Sequence, residues 1–149
     1  MKKNILVAAL AGILLAGCDK DQQVDVTSSA PGTAGDFKKN IRDRVFFNYD
    51  ESCVTADAKK VLEQQSVWLK TYANTKATVV GKADERGTRE YNITLGERRA
   101  NNASKVLSNL GVDASRLTTV SYGKDRPEVA NAQSEEQHAQ NRVAVTEIN

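Results

Sequence analysis

The chain has 149 residues, enough for one domain with a modest core plus appended segments. Basic residues exceed acidic ones by only two, 21 against 19, and Lys2 and Lys3 account for that excess. Both precede an apolar stretch expected to be removed, so the mature chain has no global field to draw in nucleic acid. Binding must come from local sites.

Residues 1–17, "MKKNILVAALAGILLAG", combine a basic start with an apolar run too short for a typical membrane-spanning helix. That is the pattern of a secretory signal peptide. The run ends in "LAGC", Leu15 to Cys18, which resembles the processing box of bacterial lipoproteins. The resemblance implies cleavage before Cys18 and lipid on its sulfur and new amino terminus. Several acyl chains, at about 0.8 kcal/mol per buried CH2, would anchor the chain more firmly than one. Asp19 follows, and in some bacteria an acidic residue there resembles an inner-membrane retention signal. Cys53 remains as the free thiol and reads as a half-buried small side chain rather than a nucleophile.

Residues 18–36 form a lipidated start and a polar tether, with small residues, Pro31 and two glycines but no apolar periodicity. Fully stretched, it spans roughly 60 Å. The folded domain is expected over 37–149. "RVFFNY", Arg44 to Tyr49, is aromatic and β-branched and predicts a strand. Thr55 can cap a helix whose apolar face carries Ala58, Val61, Leu62, Trp68, Leu69 and Tyr72. "KATVVGKA", Lys76 to Ala83, predicts a second strand. A long helix follows from about Thr88 to Leu110, with Gly111 as a left-handed cap and Val112 meeting Leu107. "LTTVSY", Leu117 to Tyr122, and "RVAVTEI", Arg142 to Ile148, are the last strands. The loop between them holds a helical turn near Glu135. The order β-α-β-α-β-β predicts an α/β (α+β) two-layer sandwich on a small mixed sheet.

The charges between the second strand and the long helix are not equivalent. At 100° per residue, Arg99 falls about 40° from Leu95, between Val106 and Leu110 in the apolar stripe. A buried guanidinium has to find acceptors, and its stem leans back toward the helix N-terminus. There the second strand exits into Asp84, at a strand end of the kind that binds ligands in α/β sheets. A carboxylate, a half-buried guanidinium and free backbone N–H groups suit a zwitterion carrying ammonium and carboxylate. The same two residues admit a structural reading, in which Asp84 and Arg99 pair only to pin the turn to the helix. Glu97 reads as solvated, as do Glu85, Arg86 and Arg89.

"GKADERGTREYNITLGERRAN" resembles the signature of OmpA-like domains, and among them that of the peptidoglycan-associated lipoproteins. "VFFNYD" is similar to the family's first strand, "VSYGKDRP" to its third-strand exit and "QNRVAV" to its last strand, so the likeness runs over about residues 44–148. It implies non-covalent binding of cell-wall peptidoglycan through the diaminopimelate of the stem peptide. Asp84 would take the ligand ammonium and Arg99 a carboxylate. Asn92 matches a polar position of the same pocket, Phe47, Asn48 and Tyr49 would supply wall and backbone contacts, and Arg142 matches a C-terminal arginine. Lys82 stands where the family usually has His, Asn48 replaces an acid, and Val143 replaces a second arginine. The resemblance further implies contact with the periplasmic Tol β-propeller and other Tol proteins, placement on the periplasmic face of the outer membrane, and a part in constriction at division. A wall-anchoring lipoprotein without Tol partners is the nearest alternative.

An enzyme is not expected. The one histidine, His138, lies in a polar segment, and no nucleophile–histidine–acid set comes together. No Cys/His cluster has metal-ligand spacing, and no cofactor is expected.

Overall fold

The computed structural model describes residues 30–149. The signal peptide, Cys18 and the tether up to residue 29 lie outside the described residues. The elements run α1 (Ala34–Asn40), β1 (Arg44–Phe46), α2 (Ala56–Thr71), β2 (Ala77–Lys82), α3 (Arg89–Asn109), a 3-10 turn (Ala114–Arg116), β3 (Leu117–Gly123), α4 (Glu135–Asn141) and β4 (Val143–Ile148). Helices and a mixed four-stranded sheet agree with the expected fold class, and α1 and α4 add to the expected order.

The sheet runs β1-β4-β2-β3. β2 and β3 are parallel, as a crossover through α3 permits. β4 returns antiparallel between β1 and β2, with Phe46 opposite Val143 and Gly81 opposite Ala144. The C-terminal ends of β1 and β2 and the N-terminal end of β4 therefore meet at one edge. β4 is buried on both faces: Val143, Ala144, Val145 and Thr146 are all inaccessible.

The predicted Thr55 and Gly111 caps are present, and Thr88, expected as the start of the long helix, caps it. The Thr55 and Thr88 hydroxyls accept from the Ala58 and Tyr91 N–H groups and start α2 and α3. Gly111, at φ +97°, ends α3. Its N–H donates to Ser108 O at 3.0 Å and the Val112 N–H to Leu107 O at 3.1 Å, the paired bonds of a Schellman motif. The last carbonyls of α2 are taken by Arg116, which donates to Leu69 O at 2.7 Å and Tyr72 O at 3.0 Å.

Two differences from the sequence reading concern boundaries. Residues Ala34 to Asp36, expected in the tether, begin α1, which Thr33 caps. Trp68 explains this. Its buried indole N–H needs an acceptor and donates to Asp36 Oδ2 at 2.9 Å, while its ring meets Phe37 edge-on at 4.9 Å. The first strand ends at Phe46 rather than Tyr49, because Asn48–Glu51 turns through Asp50 at φ +56°.

α3 lies directly on β2. A Cβ on Gly81 would stand 1.7 Å from Gly96 O, and one on Gly96 would stand 2.4 Å from Ser121 Oγ. That contact brings the Arg99 turn of α3 against the end of β2. Gly81→Ala is expected to lower stability by about 3 kcal/mol or more, beyond ordinary overpacking because the obstruction is backbone. Urea unfolding followed by Trp68 fluorescence measures it.

Candidate functional site

At the edge where the strand ends meet, a cleft of about 210 Å³ opens. Tyr49 and Asp50 from the β1–α2 loop form one wall; Arg86 and Gly87 from the β2–α3 turn and Tyr91, Asn92 and Leu95 from α3 form the other, with Asp84 and Arg99 also in the lining. Ligand pockets for larger molecules run about 300–1,000 Å³, so the volume suits one compact polar head group.

Arg99 is fully buried, as its place in the apolar stripe predicts. Its Nε donates to Glu51 O at 2.8 Å, Nη1 to Lys82 O at 2.9 Å and Nη2 to Asn48 O at 3.1 Å. The guanidinium also lies 5.3 Å from the centre of the Phe47 ring. One side chain thus ties α3 to the end of β2 and to both limbs of the β1–α2 turn. Burial pushes its pKa down to about 10, opposed by the charge of Asp84. It stays a cation at neutral pH. Of its five N–H donors, these three contacts take three.

Asp84 is 4% exposed. Its Oδ2 accepts from Arg86 Nη2 at 2.6 Å and Arg142 Nη1 at 3.2 Å, and its Oδ1 from the Arg86 N–H at 3.2 Å. Burial works to raise its pKa, but the hydrogen bonds from Arg86 and Arg142 outweigh it and hold the carboxyl below the usual range. Asp84 and Arg99 share no hydrogen bond. The reading in which they pair to pin the turn is therefore corrected: Arg99 pins it through backbone carbonyls, and Asp84 is matched by two other arginines.

The remaining predicted residues divide. Tyr49 and Asn92 line the cleft. The Asn92 side chain donates to Arg86 O at 2.8 Å and so fixes the turn. Phe47, Asn48 and Arg142 surround the cleft without lining it. Phe47 gives its ring to Arg99 and its carbonyl to Arg142 Nε at 3.1 Å. Asn48 gives its carbonyl to Arg99, while its amide turns out to Glu51 at 2.9 Å. Arg142 sits behind Asp84, joined also to Glu135 at 2.8 Å. Lys82 points away from the cleft and pairs with Glu128 at 2.5 Å, which in turn holds Arg44 at 3.0 Å.

Sequence reasoning placed Arg86 among solvated charges, and that is corrected. It bonds Asp84, reaches Glu135 at 3.2 Å and lies over the Tyr49 ring at 4.2 Å. Its position two residues after Asp84, before a glycine, was the available signal. Asp50 and Tyr91 were also missed; the Tyr91 hydroxyl donates to Asp50 Oδ1 across the cleft mouth. That bond, the partial burial of the hydroxyl and the Asp50 charge raise the pKa of Tyr91. The two lie 41 residues apart in the chain, and nothing local joins them.

Cys53 is exposed rather than half-buried. Among the described residues no group of three or more His, Cys, Asp or Glu side chains could hold a metal ion, and no helix is long and apolar enough to cross a membrane. The cleft offers a matched set of fixed charges and hydrogen-bond donors, the chemistry of binding.

The OmpA family model matches residues 46–142, which contain every cleft residue. The chain belongs to the OmpA family. Within it, the chain groups with the peptidoglycan-associated lipoproteins. It is 40% identical to the protein of that name from Brucella melitensis biotype 1, over 99% of this chain and 93% of the relative. It is 42% identical to that of Agrobacterium fabrum, over 95% of this chain and 85% of the relative. The crystal structure of the peptidoglycan-associated lipoprotein from Burkholderia pseudomallei superposes with a TM-score of 0.70 at 32% identity, covering 83% of this chain and 98% of that one.

Two predictions follow from the arginines and Asp84. Arg99→Ala strands three carbonyls and opens a cavity, so it is expected to cost at least about 3 kcal/mol. Arg86→Ala, at a partly exposed pair, is expected to cost under about 1 kcal/mol; urea midpoints compare them. The pKa of Asp84 is lowered on folding, so its stabilising contribution is present above the unfolded value and lost as pH falls through the folded one. The stability difference between wild type and Asp84→Asn is therefore expected to be constant from pH 7 to 5 and to shrink below about pH 4.

Proposed function

We propose that this OmpA-family chain is a lipid-anchored periplasmic protein that binds peptidoglycan non-covalently through the diaminopimelate of the stem peptide. Asp84 takes the ligand ammonium and the two free N–H donors of Arg99 take a carboxylate. The observation that carries this reading is a head-group-sized cleft with a matched carboxylate and guanidinium in its lining. The names of the relatives support the peptidoglycan part, and binding rather than catalysis as the activity.

Cys18 carries the lipid and anchors the chain on the periplasmic face of the outer membrane. Contact with the periplasmic Tol β-propeller and a part in envelope constriction rest on membership of the lipoprotein group. Capture of the propeller by the purified protein tests that part alone; no capture leaves a wall anchor without Tol partners.

The decisive assay is co-sedimentation with purified peptidoglycan sacculi. Wild type is expected in the pellet, and Asp84→Asn in the supernatant with its urea midpoint showing a folded domain. Equal sedimentation of both would contradict the assignment. For the anchor, mass spectrometry is expected to find acyl chains on Cys18, and Cys18→Ser is expected to leave the membrane fraction.

A further inference from the structure

Three arginines face Asp84 or its cleft, and only one is replaceable. Arg99 and Arg142 both donate to backbone carbonyls and are buried. Arg86 makes no side-chain bond to the backbone. Its guanidinium rests on two carboxylates and one ring, on a turn with its side chain 37% exposed. Its Nε is buried and has no hydrogen-bond partner. A donor left unspent in a buried position is costly, and in this cleft Arg86 Nε is a buried nitrogen with no hydrogen bond at all. Meanwhile its Nη2 holds Asp84 Oδ2, the oxygen on which a ligand ammonium would have to compete.

We propose that Arg86 is a specificity-determining side chain: it stands in for the ligand ammonium on Asp84 and yields that carboxylate only to a ligand that brings a carboxylate of its own. This rests on the proposed function. When an amino-acid head enters, its ammonium replaces the Arg86 guanidinium on Asp84. The freed guanidinium joins Arg99 on the ligand carboxylate, using Nε and Nη2, the side of the fork that fits a carboxylate in two parallel bonds. Each charge exchanges one partner for another, and the unspent Nε–H is used. A lone amine provides no such exchange. It would take the place of Arg86 beside Asp84 and leave Arg86 on Glu135 alone, with no carboxylate for its Nε–H. Diaminopimelate has the required head; lysine at the same stem position has the amine without the carboxylate.

Calorimetric titration of the purified protein with two stem tetrapeptides, one with meso-diaminopimelate and one with lysine, tests this. Wild type is expected to prefer the diaminopimelate peptide by at least about tenfold. In Arg86→Gln, the lysine peptide is expected to bind about tenfold more tightly, so that the preference falls by that factor. Arg86→Lys keeps a cation on Asp84 but has neither the fork nor the Nε–H, and its preference is expected to fall between those of wild type and Arg86→Gln. Unchanged or weaker lysine-peptide binding in Arg86→Gln would overturn the role of Arg86. Asp84→Asn is expected to lose both peptides; if it binds both as wild type does, the cleft assignment itself fails, whatever Arg86 does. Urea midpoints confirm that each variant is folded.

Discussion

A guanidinium buried in the apolar stripe of a helix organises this domain. Left unpaired, such a charge would be expelled or would prevent α3 from packing. Arg99 instead finds carbonyls at the end of β2 and on both limbs of the β1–α2 turn. The bonds only reach because α3 lies close to β2 at Gly81 and Gly96, where no Cβ fits. The cleft is therefore the space left when three segments are drawn to one side chain.

Around that fixed cation the other charges have separate tasks. Arg142 fastens the start of β4 to the Phe47 carbonyl and reaches Asp84 from behind. Arg86 covers Asp84 from the solvent side and leans on Tyr49. Asp84 is thereby kept ionised in spite of burial, which by itself would favour the neutral acid. A preformed, charge-matched lining of this kind limits the reorganisation needed when a zwitterion binds. Lys82, Glu128 and Arg44 form a separate network that binds the β3–α4 loop to the sheet.

Much of this was legible in the sequence where the signal is local. The Thr55 cap, the start of the long helix near Thr88, the Gly111 terminus and the position of Arg99 in the stripe follow from local pattern and helix geometry. The exit of β2 into Asp84 follows from strand length. Features that depend on a distant partner were not legible. α1 is too short to show a period and is held by the Trp68 indole 32 residues away from Asp36. Gln65 breaks the apolar face of α2 yet is buried, because it accepts from the Thr146 hydroxyl and donates to Arg42 O. The burial of Arg99 was readable, but its acceptors were not, since backbone carbonyls leave no mark in a sequence. The same holds for the engagement of Arg86, which reads as one more surface charge until the turn is folded over Tyr49.

The central claim is that Arg99, held by backbone carbonyls, and Asp84 together form one binding site for an ammonium and a carboxylate. A crystal structure of the protein with a diaminopimelate stem peptide tests it most directly. The expected result has the ligand ammonium within hydrogen-bond distance of Asp84 and its carboxylate on Arg99, with the bonds from Arg99 to Asn48, Glu51 and Lys82 retained. A ligand seated outside this cleft, or an Arg99 that leaves those carbonyls to reach it, would contradict the account.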